Sequence, residues 1–109
     1  MLVELDVFSG RSNPQWRLDE RSAEELRRLL GRLTSTALAA VEPPGLGYRG
    51  FVLTDKSGSW HAYHGYVRTS RDVLADSGFS IERFLLDRIP VEHALLGRRI
   101  ASELGRANQ

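Results

Sequence analysis

The sequence contains no cysteine, which excludes disulfide bonds, thiolate catalysis and zinc sites built from cysteine. No apolar run approaches the roughly 20 residues of a membrane span, and the alternation of apolar and acidic residues after Met1 is not typical of a signal peptide. A surplus of charge is also lacking, since 15 basic residues face 14 acidic ones. That balance argues against a general attraction to nucleic acid or anionic membrane. We therefore expect a cytoplasmic protein with neither as a partner.

The composition predicts one folded domain over residues 1–109. The chain is 41% hydrophobic and 27% charged, which is typical of a globular rather than a disordered protein. A chain of this length buries roughly two thirds of its unfolded surface, which is enough for one core.

Three segments have strand patterns. Residues 2–8 alternate between apolar and acidic side chains, and residues 48–54 and 59–68 flank a turn of sequence Asp-Lys-Ser-Gly. A short strand over residues 71–75 is a further candidate. We predict a bulged type I turn at 55–58, because aspartate suits its first position and glycine its fourth. The alternative, a two-residue turn at Ser57-Gly58, shifts the pairing by one residue and mixes the residues of the two faces.

With the bulged turn, Leu53 pairs with His61 and the hairpin has two distinct faces. The core face carries Phe51, Leu53, Tyr63 and Val67. The other face is aromatic and partly polar, and it carries Tyr48, Val52, Trp60, Ala62, His64 and Tyr66. A patch of this kind is a candidate interface for a two-fold homodimer. The alternative is that residues 37–41 or the opening loop cover it.

Three helices are predicted from apolar residues at helical spacing. The first begins at Ser22, which with Glu25 fits a capping box; Asp19 is a rival cap. A helical continuation is predicted over residues 37–41, before Pro43-Pro44 ends it. The second is capped by Ser80, and the last ends at Gly105. The apolar stripe of the first helix is Ala23, Leu26, Leu29, Leu30 and Leu33. That of the second is Ile81, Phe84, Leu85 and Ile89, and that of the last is Val91, Leu95, Leu96, Ile100 and Leu104.

These elements predict an α+β fold. We expect a small antiparallel or mixed sheet of three or four strands, with helices packed on one face. The predicted core contains Val3, Leu5, Val7, Leu26, Leu30, Phe51, Leu53, Phe84, Leu85 and Leu95.

Two loops could form a binding site. In the 9–16 loop, Arg11 offers a planar fork suited to a carboxylate or phosphate, Asn13 adds a donor and an acceptor, and Trp16 adds a flat apolar surface. The structural alternative is that Arg11 and Asn13 bond to neighbouring backbone while Trp16 fills the core edge. The 45–50 loop contributes Tyr48 and Arg49. It leads into a strand, so it does not match a nucleotide-binding fingerprint.

The histidines do not predict a metal site. His61 and His64 are three residues apart on a predicted strand, so their rings point to opposite faces. We expect no metal and no cofactor. His64 could transfer protons, because imidazole titrates near neutral pH, but no nucleophile motif accompanies it and no catalytic residue is assigned.

The stretch VFSGRSNPQW, followed by PPGLGYRGF, resembles a group of small uncharacterised bacterial proteins with VFSGRPNPxW near the N-terminus. The resemblance covers most of the chain and departs from the motif at Ser12, where proline is expected. It implies no activity, cofactor or catalytic residue. It does imply that the two loops belong together.

The favoured hypothesis is a small binding or accessory protein rather than an enzyme. Its partner would be an anionic small molecule or an acidic peptide segment, held by the 9–16 and 45–50 loops. One alternative is a small enzyme that uses His64 as a general acid or base. Another is an interaction protein that dimerises through its sheet face. The candidate ligand-binding residues are Arg11, Asn13, Trp16, Tyr48, Arg49 and His64.

Overall fold

Short strands form one antiparallel sheet in the structure, a computed structural model that describes residues 1–8, 10–38, 40–45 and 47–107. The strands are β1 (Leu2–Leu5), β2 (Gln15–Arg17), β3 (Thr34–Ser35), β4 (Phe51–Asp55), β5 (Gly58–Tyr63), β6 (Tyr66–Arg68) and β7 (Val73–Ala75). Their order across the sheet is β2-β1-β4-β5-β6-β7-β3. The α+β class is confirmed, but the described strands number seven, so the predicted three or four understate the sheet.

The helices are α1 (Glu20–Gly31), α2 (Ser80–Leu86) and α3 (Ala94–Ala107), with a 3-10 turn at Val91–His93 before α3. Because α1 connects strand β2 at one edge of the sheet with β3 at the other, it must cross one face. No helix within the described ranges has both the length and the apolar character that a membrane span requires.

The core lies between these helices and one face of the sheet. Leu5, Phe51, Ala62 and Val67 are paired in turn across β1, β4, β5 and β6, and all are buried. They form one row, because residues opposite each other in a ladder point to the same face. The helices complete the core with buried side chains that include Leu26, Ile81, Leu85, Ile100 and Leu104.

The predicted register of the first hairpin is wrong by one residue. Leu53 pairs with Trp60, and Asp55 pairs with Gly58 across a two-residue turn at Lys56-Ser57. The alternative turn at Ser57-Gly58 is therefore wrong as well. The Asp55 carboxylate stabilises the observed turn, because it accepts hydrogen bonds from the Ser57 amide and hydroxyl, both at 2.7 Å. These bonds lower the pKa of Asp55.

The predicted strand over 59–68 is two strands joined by a tight turn at His64-Gly65. Both turn residues have positive φ, 54° at His64 and 80° at Gly65, and Tyr63 pairs with Tyr66 across them. Positive φ at both central positions defines the type I′ turn, whose twist matches that of the flanking strands. The prediction missed this turn because histidine stands where asparagine is the usual signal.

The aromatic patch predicted for a homodimer is divided between different environments. Tyr48 and Ala62 are buried in the core, and Trp60 packs against it. The register shift explains this, since it moves Trp60 and Ala62 to the helix-covered side. The open face instead carries the row Glu4, Val52, His61, Arg68 and Val73. The homodimer stays a prediction without this patch to support it.

Part of the 36–47 segment approaches that open face. The Glu42 carboxylate accepts a hydrogen bond from Arg68 at 2.6 Å, and Leu38 and Val41 line a hollow with Tyr66 and Ala75. No helix forms over residues 37, 38, 40 and 41, which corrects the predicted helical continuation; Ala39 lies outside the described residues.

The helix ends differ from prediction in three places. Asp19, not Ser22, is the N-cap of α1, and its carboxylate accepts from the Ser22 amide at 2.7 Å. Ser80 begins α2 but does not cap it; the Asp76 carboxylate bonds the Ser80 and Ile81 amides instead. Helix α3 continues through Gly105, so that glycine is not a cap.

Two predicted core residues lie outside the core. Leu95 is 76% exposed, because the buried side of α3 runs through Ile100 and Leu104, and Leu95 is off that stripe. Val7 is half-buried and packs against the core from the loop after β1. The other eight predicted core residues are buried, which confirms the alternation of β1 and the stripes of α1 and α2.

Gly50, just before β4, lies very close to the backbone of β5. Its φ is 101°, and an added Cβ would lie 2.4 Å from the Ala62 carbonyl oxygen. We expect Gly50→Ala to lower the free energy of unfolding by about 2 kcal/mol or more, because both strain and overlap must be relieved. Gly45→Ala meets nothing within 4 Å and should change stability by less than about 0.5 kcal/mol. Urea unfolding that shows equal effects would contradict the close approach.

Candidate functional site

Asn13 fastens the opening loop to its own strand. Its side-chain oxygen accepts hydrogen bonds from the amides of Val7 and Phe8, at 3.0 and 2.7 Å. Its amide group donates to Glu4 at 3.0 Å and to Asp6 at 3.3 Å. All the hydrogen-bonding groups of this side chain are therefore engaged inside the protein, as the structural alternative predicts.

Arg49 joins the second loop to the first. Its guanidinium donates to the Asp6 carboxylate at 2.8 Å and to the Phe8 carbonyl at 2.9 Å. A third bond reaches the Gly45 carbonyl at 3.1 Å. The two loops are thus in contact, but Arg49 is occupied in holding them together.

Trp16 and Tyr48 are parts of the core boundary. The Trp16 ring packs edge-on against Phe51, with centroids 6.4 Å apart, and its Nε1 is buried with no hydrogen-bond partner in the described residues. Tyr48 is 7% exposed. Tyr48 is therefore shielded from a ligand at the surface, whereas Trp16 is partly exposed.

A buried carboxylate holds Tyr48. The Tyr48 hydroxyl donates to Glu82 at 2.5 Å, and the Gly65 amide donates to the other Glu82 oxygen at 2.9 Å. Glu82 itself is 1% exposed. Burial raises the pKa of Tyr48 far above its usual value, and the facing Glu82 carboxylate raises it further. Burial raises the pKa of Tyr63 in the same direction.

Arg11 lies at the surface in a groove that the sequence did not predict. Its guanidinium stacks over the Phe8 ring, with its central carbon 3.8 Å from the ring centroid. The groove has a volume of 620 Å³ and runs between the opening loop and the start of α3. We call it the basic groove; its lining is Phe8, Arg11, Val91, Glu92, His93, Ala94, Leu95, Leu96, Arg98 and Arg99.

Three guanidinium groups line the basic groove beside one carboxylate, that of Glu92. Arg11, Arg98 and Arg99 take part in none of the ion pairs between described residues. The sequence interpretation treated Arg98-Arg99 as a solvated helix surface, because nothing in the local pattern shows that the start of α3 lies beside Arg11.

His64 lies in a separate hollow. This hollow of 460 Å³, here called the His64 hollow, is lined by Leu38, Val41, His64, Gly65, Tyr66, Ala75, Ser77 and Phe79. The imidazole packs between the rings of Tyr63 and Phe79, each with a centroid 5.7 Å away. The six candidate residues therefore do not form one site.

The histidine pair has no metal-binding geometry. His61 lies on β5, with its Nε2 2.7 Å from the Arg49 carbonyl oxygen, whereas His64 lies in the turn after β5. Among the residues that the structure describes, no group of three histidine or acidic side chains could hold a metal ion.

Comparison with known proteins gives no family. No family model matches the chain, and neither the curated proteins nor the solved structures contain a match.

Asn13 and Gln15 provide a matched pair for testing the loop, since both donate to Glu4. Asn13→Ala leaves two backbone amides without their acceptor, so we expect a loss of about 1–3 kcal/mol in the free energy of unfolding. Gln15 is exposed, and Gln15→Ala should cost less than about 0.5 kcal/mol. Urea unfolding of both variants measures the difference. Equal losses would show that the Asn13 bonds do not hold the loop.

The buried Tyr48 predicts alkaline sensitivity. The folded chain keeps its phenolic proton, whereas the unfolded chain loses it near pH 10, the ordinary tyrosine pKa of about 10. The contribution of Tyr48 to the free energy of unfolding is therefore complete below that pH. Above it, this contribution falls by about 1.4 kcal/mol per pH unit. As the pH rises above that value, the free energy of unfolding of Tyr48→Phe should fall less steeply than that of the wild-type protein, and the two slopes should differ by that amount. Parallel declines of the two proteins would contradict the assignment.

Proposed function

We propose that this protein binds an acidic peptide segment at the basic groove. The observation that carries the proposal is the pairing of exposed apolar and cationic groups there. Val91 and Leu95 are 86% and 76% exposed, and they share the groove with Arg11, Arg98 and Arg99. Exposed apolar side chains grouped in this way are typical of interaction sites.

The mixed lining favours a peptide over a small anion. An anion would satisfy the guanidinium groups but leave Val91 and Leu95 in water. A segment with carboxylates around one apolar side chain would pair with the guanidinium groups and bury the two apolar side chains. The volume of 620 Å³ is large enough for a side chain together with its flanking backbone.

The two loops have different parts in this proposal. Arg11 contacts the partner directly, and its stacking on Phe8 limits the orientations of the guanidinium. Asn13 and Arg49 hold the Phe8 backbone through its amide and its carbonyl. The 45–50 loop therefore contributes to binding indirectly, by fixing the position of Phe8.

A capped heptapeptide with one central phenylalanine and six glutamates tests the proposal. We expect Arg98→Ala and Arg11→Ala each to weaken binding by roughly two- to fivefold, since exposed ion pairs contribute up to about 1 kcal/mol. Leu95→Ser should weaken binding at least as much. Titration calorimetry at low and physiological ionic strength measures these changes, and salt should weaken the wild-type affinity.

Arg71→Ala is the matched control, because it removes the same charge from an exposed residue outside the groove. It should leave the affinity unchanged. A peptide with glutamine in place of glutamate should not bind. If inorganic phosphate or free glutamate binds as tightly as the peptide, the partner is a small anion and the peptide proposal is wrong.

A further inference from the structure

The exposed large apolar side chains of the described residues fall into two pairs. Val91 and Leu95 line the basic groove, whereas Leu38 and Val41, at 66% and 40% exposed, line the His64 hollow. The second pair is outside the proposed peptide site and needs its own explanation.

The His64 hollow has apolar walls and a few polar groups. Leu38, Val41, Ala75 and Phe79 supply the walls, and no arginine, lysine, aspartate or glutamate is in its lining. His64, Tyr66 and Ser77 are the lining side chains that can donate or accept a hydrogen bond. Among the described residues, none of these three side chains has a hydrogen-bond partner. Apolar walls with a few polar groups are typical of small-molecule sites, whose volumes of about 300–1,000 Å³ include this one.

Internal hydrogen bonds stabilise the turn that carries His64. The Glu82 carboxylate accepts a hydrogen bond from the Gly65 amide at 2.9 Å, and the Asp76 amide donates one to the Gly65 carbonyl at 2.9 Å. Phe79, the only other non-glycine residue described with positive φ, packs on the His64 ring. Both residues with this unfavourable backbone conformation therefore border the same hollow. Such conformations persist where surrounding contacts enforce them, and they are frequent at ligand sites.

We infer that the His64 hollow binds a small uncharged aromatic molecule that carries one hydroxyl group. The aromatic ring packs against Phe79 and between the exposed Leu38 and Val41. The hydroxyl bonds to the imidazole of His64. An uncharged ligand is favoured because the lining contains no arginine, lysine, aspartate or glutamate.

Titration of the isotope-labelled full chain with 4-ethylphenol, followed by amide chemical shifts, tests this inference. We expect saturable shifts at Gly65, Tyr66, Ala75 and Ser77, with a dissociation constant on the order of millimolar. Ethylbenzene lacks the hydroxyl and 4-ethylbenzoate adds a charge, so each should bind at least about threefold more weakly. Shifts that do not saturate, or that centre on residues 91–99, would overturn the inference. Equal binding of ethylbenzene would do the same.

His64→Asn is the informative variant, because asparagine before glycine is the preferred type I′ pair and retains the turn. It should weaken 4-ethylphenol binding about threefold or more while the remaining spectrum is unchanged. Ala75→Leu, which fills the hollow, should abolish binding, and Leu95→Ser in the basic groove should have no effect. Wild-type affinity in both His64→Asn and Ala75→Leu would place the ligand elsewhere. The peptide titration is independent, so either site can fail alone.

Discussion

The carboxylate of Asp6 is the point on which the arrangement of both loops depends. It directly follows β1 and accepts from Arg49 at 2.8 Å and from Asn13 at 3.3 Å. The Asp6 backbone continues the pairing with the second loop, through bonds to Gly50 and Arg49. A half-buried ion pair of this kind affects stability more than an exposed one does, because a side chain that loses its partner there remains partly shielded from water. The surface position of Arg11 follows from these internal bonds.

Two buried carboxylates hold the turn that carries His64 and the start of α2. Glu82 and Asp76 are the buried acidic residues of the described chain, and both accept backbone amides near the His64 turn or the start of α2. Burying a carboxylate without a cation is costly unless donors surround it. Glu82 meets this need with the Tyr48 hydroxyl and the Gly65 amide, so the cost of burial is offset only when the turn is correctly formed. The same bonds that stabilise the core thus specify the shape of the hollow.

The sequence predicts elements where one local pattern dominates. The alternation of β1 and the stripe of α1 are confirmed because burial of one face decides both. Strands β2 and β3 were missed because three and two residues are too few for a pattern. The hairpin register was wrong because the Asp55 carboxylate selects the tighter turn, which propensity alone does not reveal. The basic groove could not be predicted at all, since Arg11 and Arg98 become neighbours only through the packing of α3.

Net charge was the least informative of the sequence features, and the structure shows the reason. The chain has 15 basic and 14 acidic residues, yet the unpaired charges are unevenly placed. Asp6, Asp76 and Glu82 form hydrogen bonds within the fold, whereas Arg11 and Arg98 face the basic groove without an ion pair among the described residues. Carboxylates suit internal roles because they accept several backbone amides at once. A balance that is neutral over the sequence can therefore leave a local positive surface.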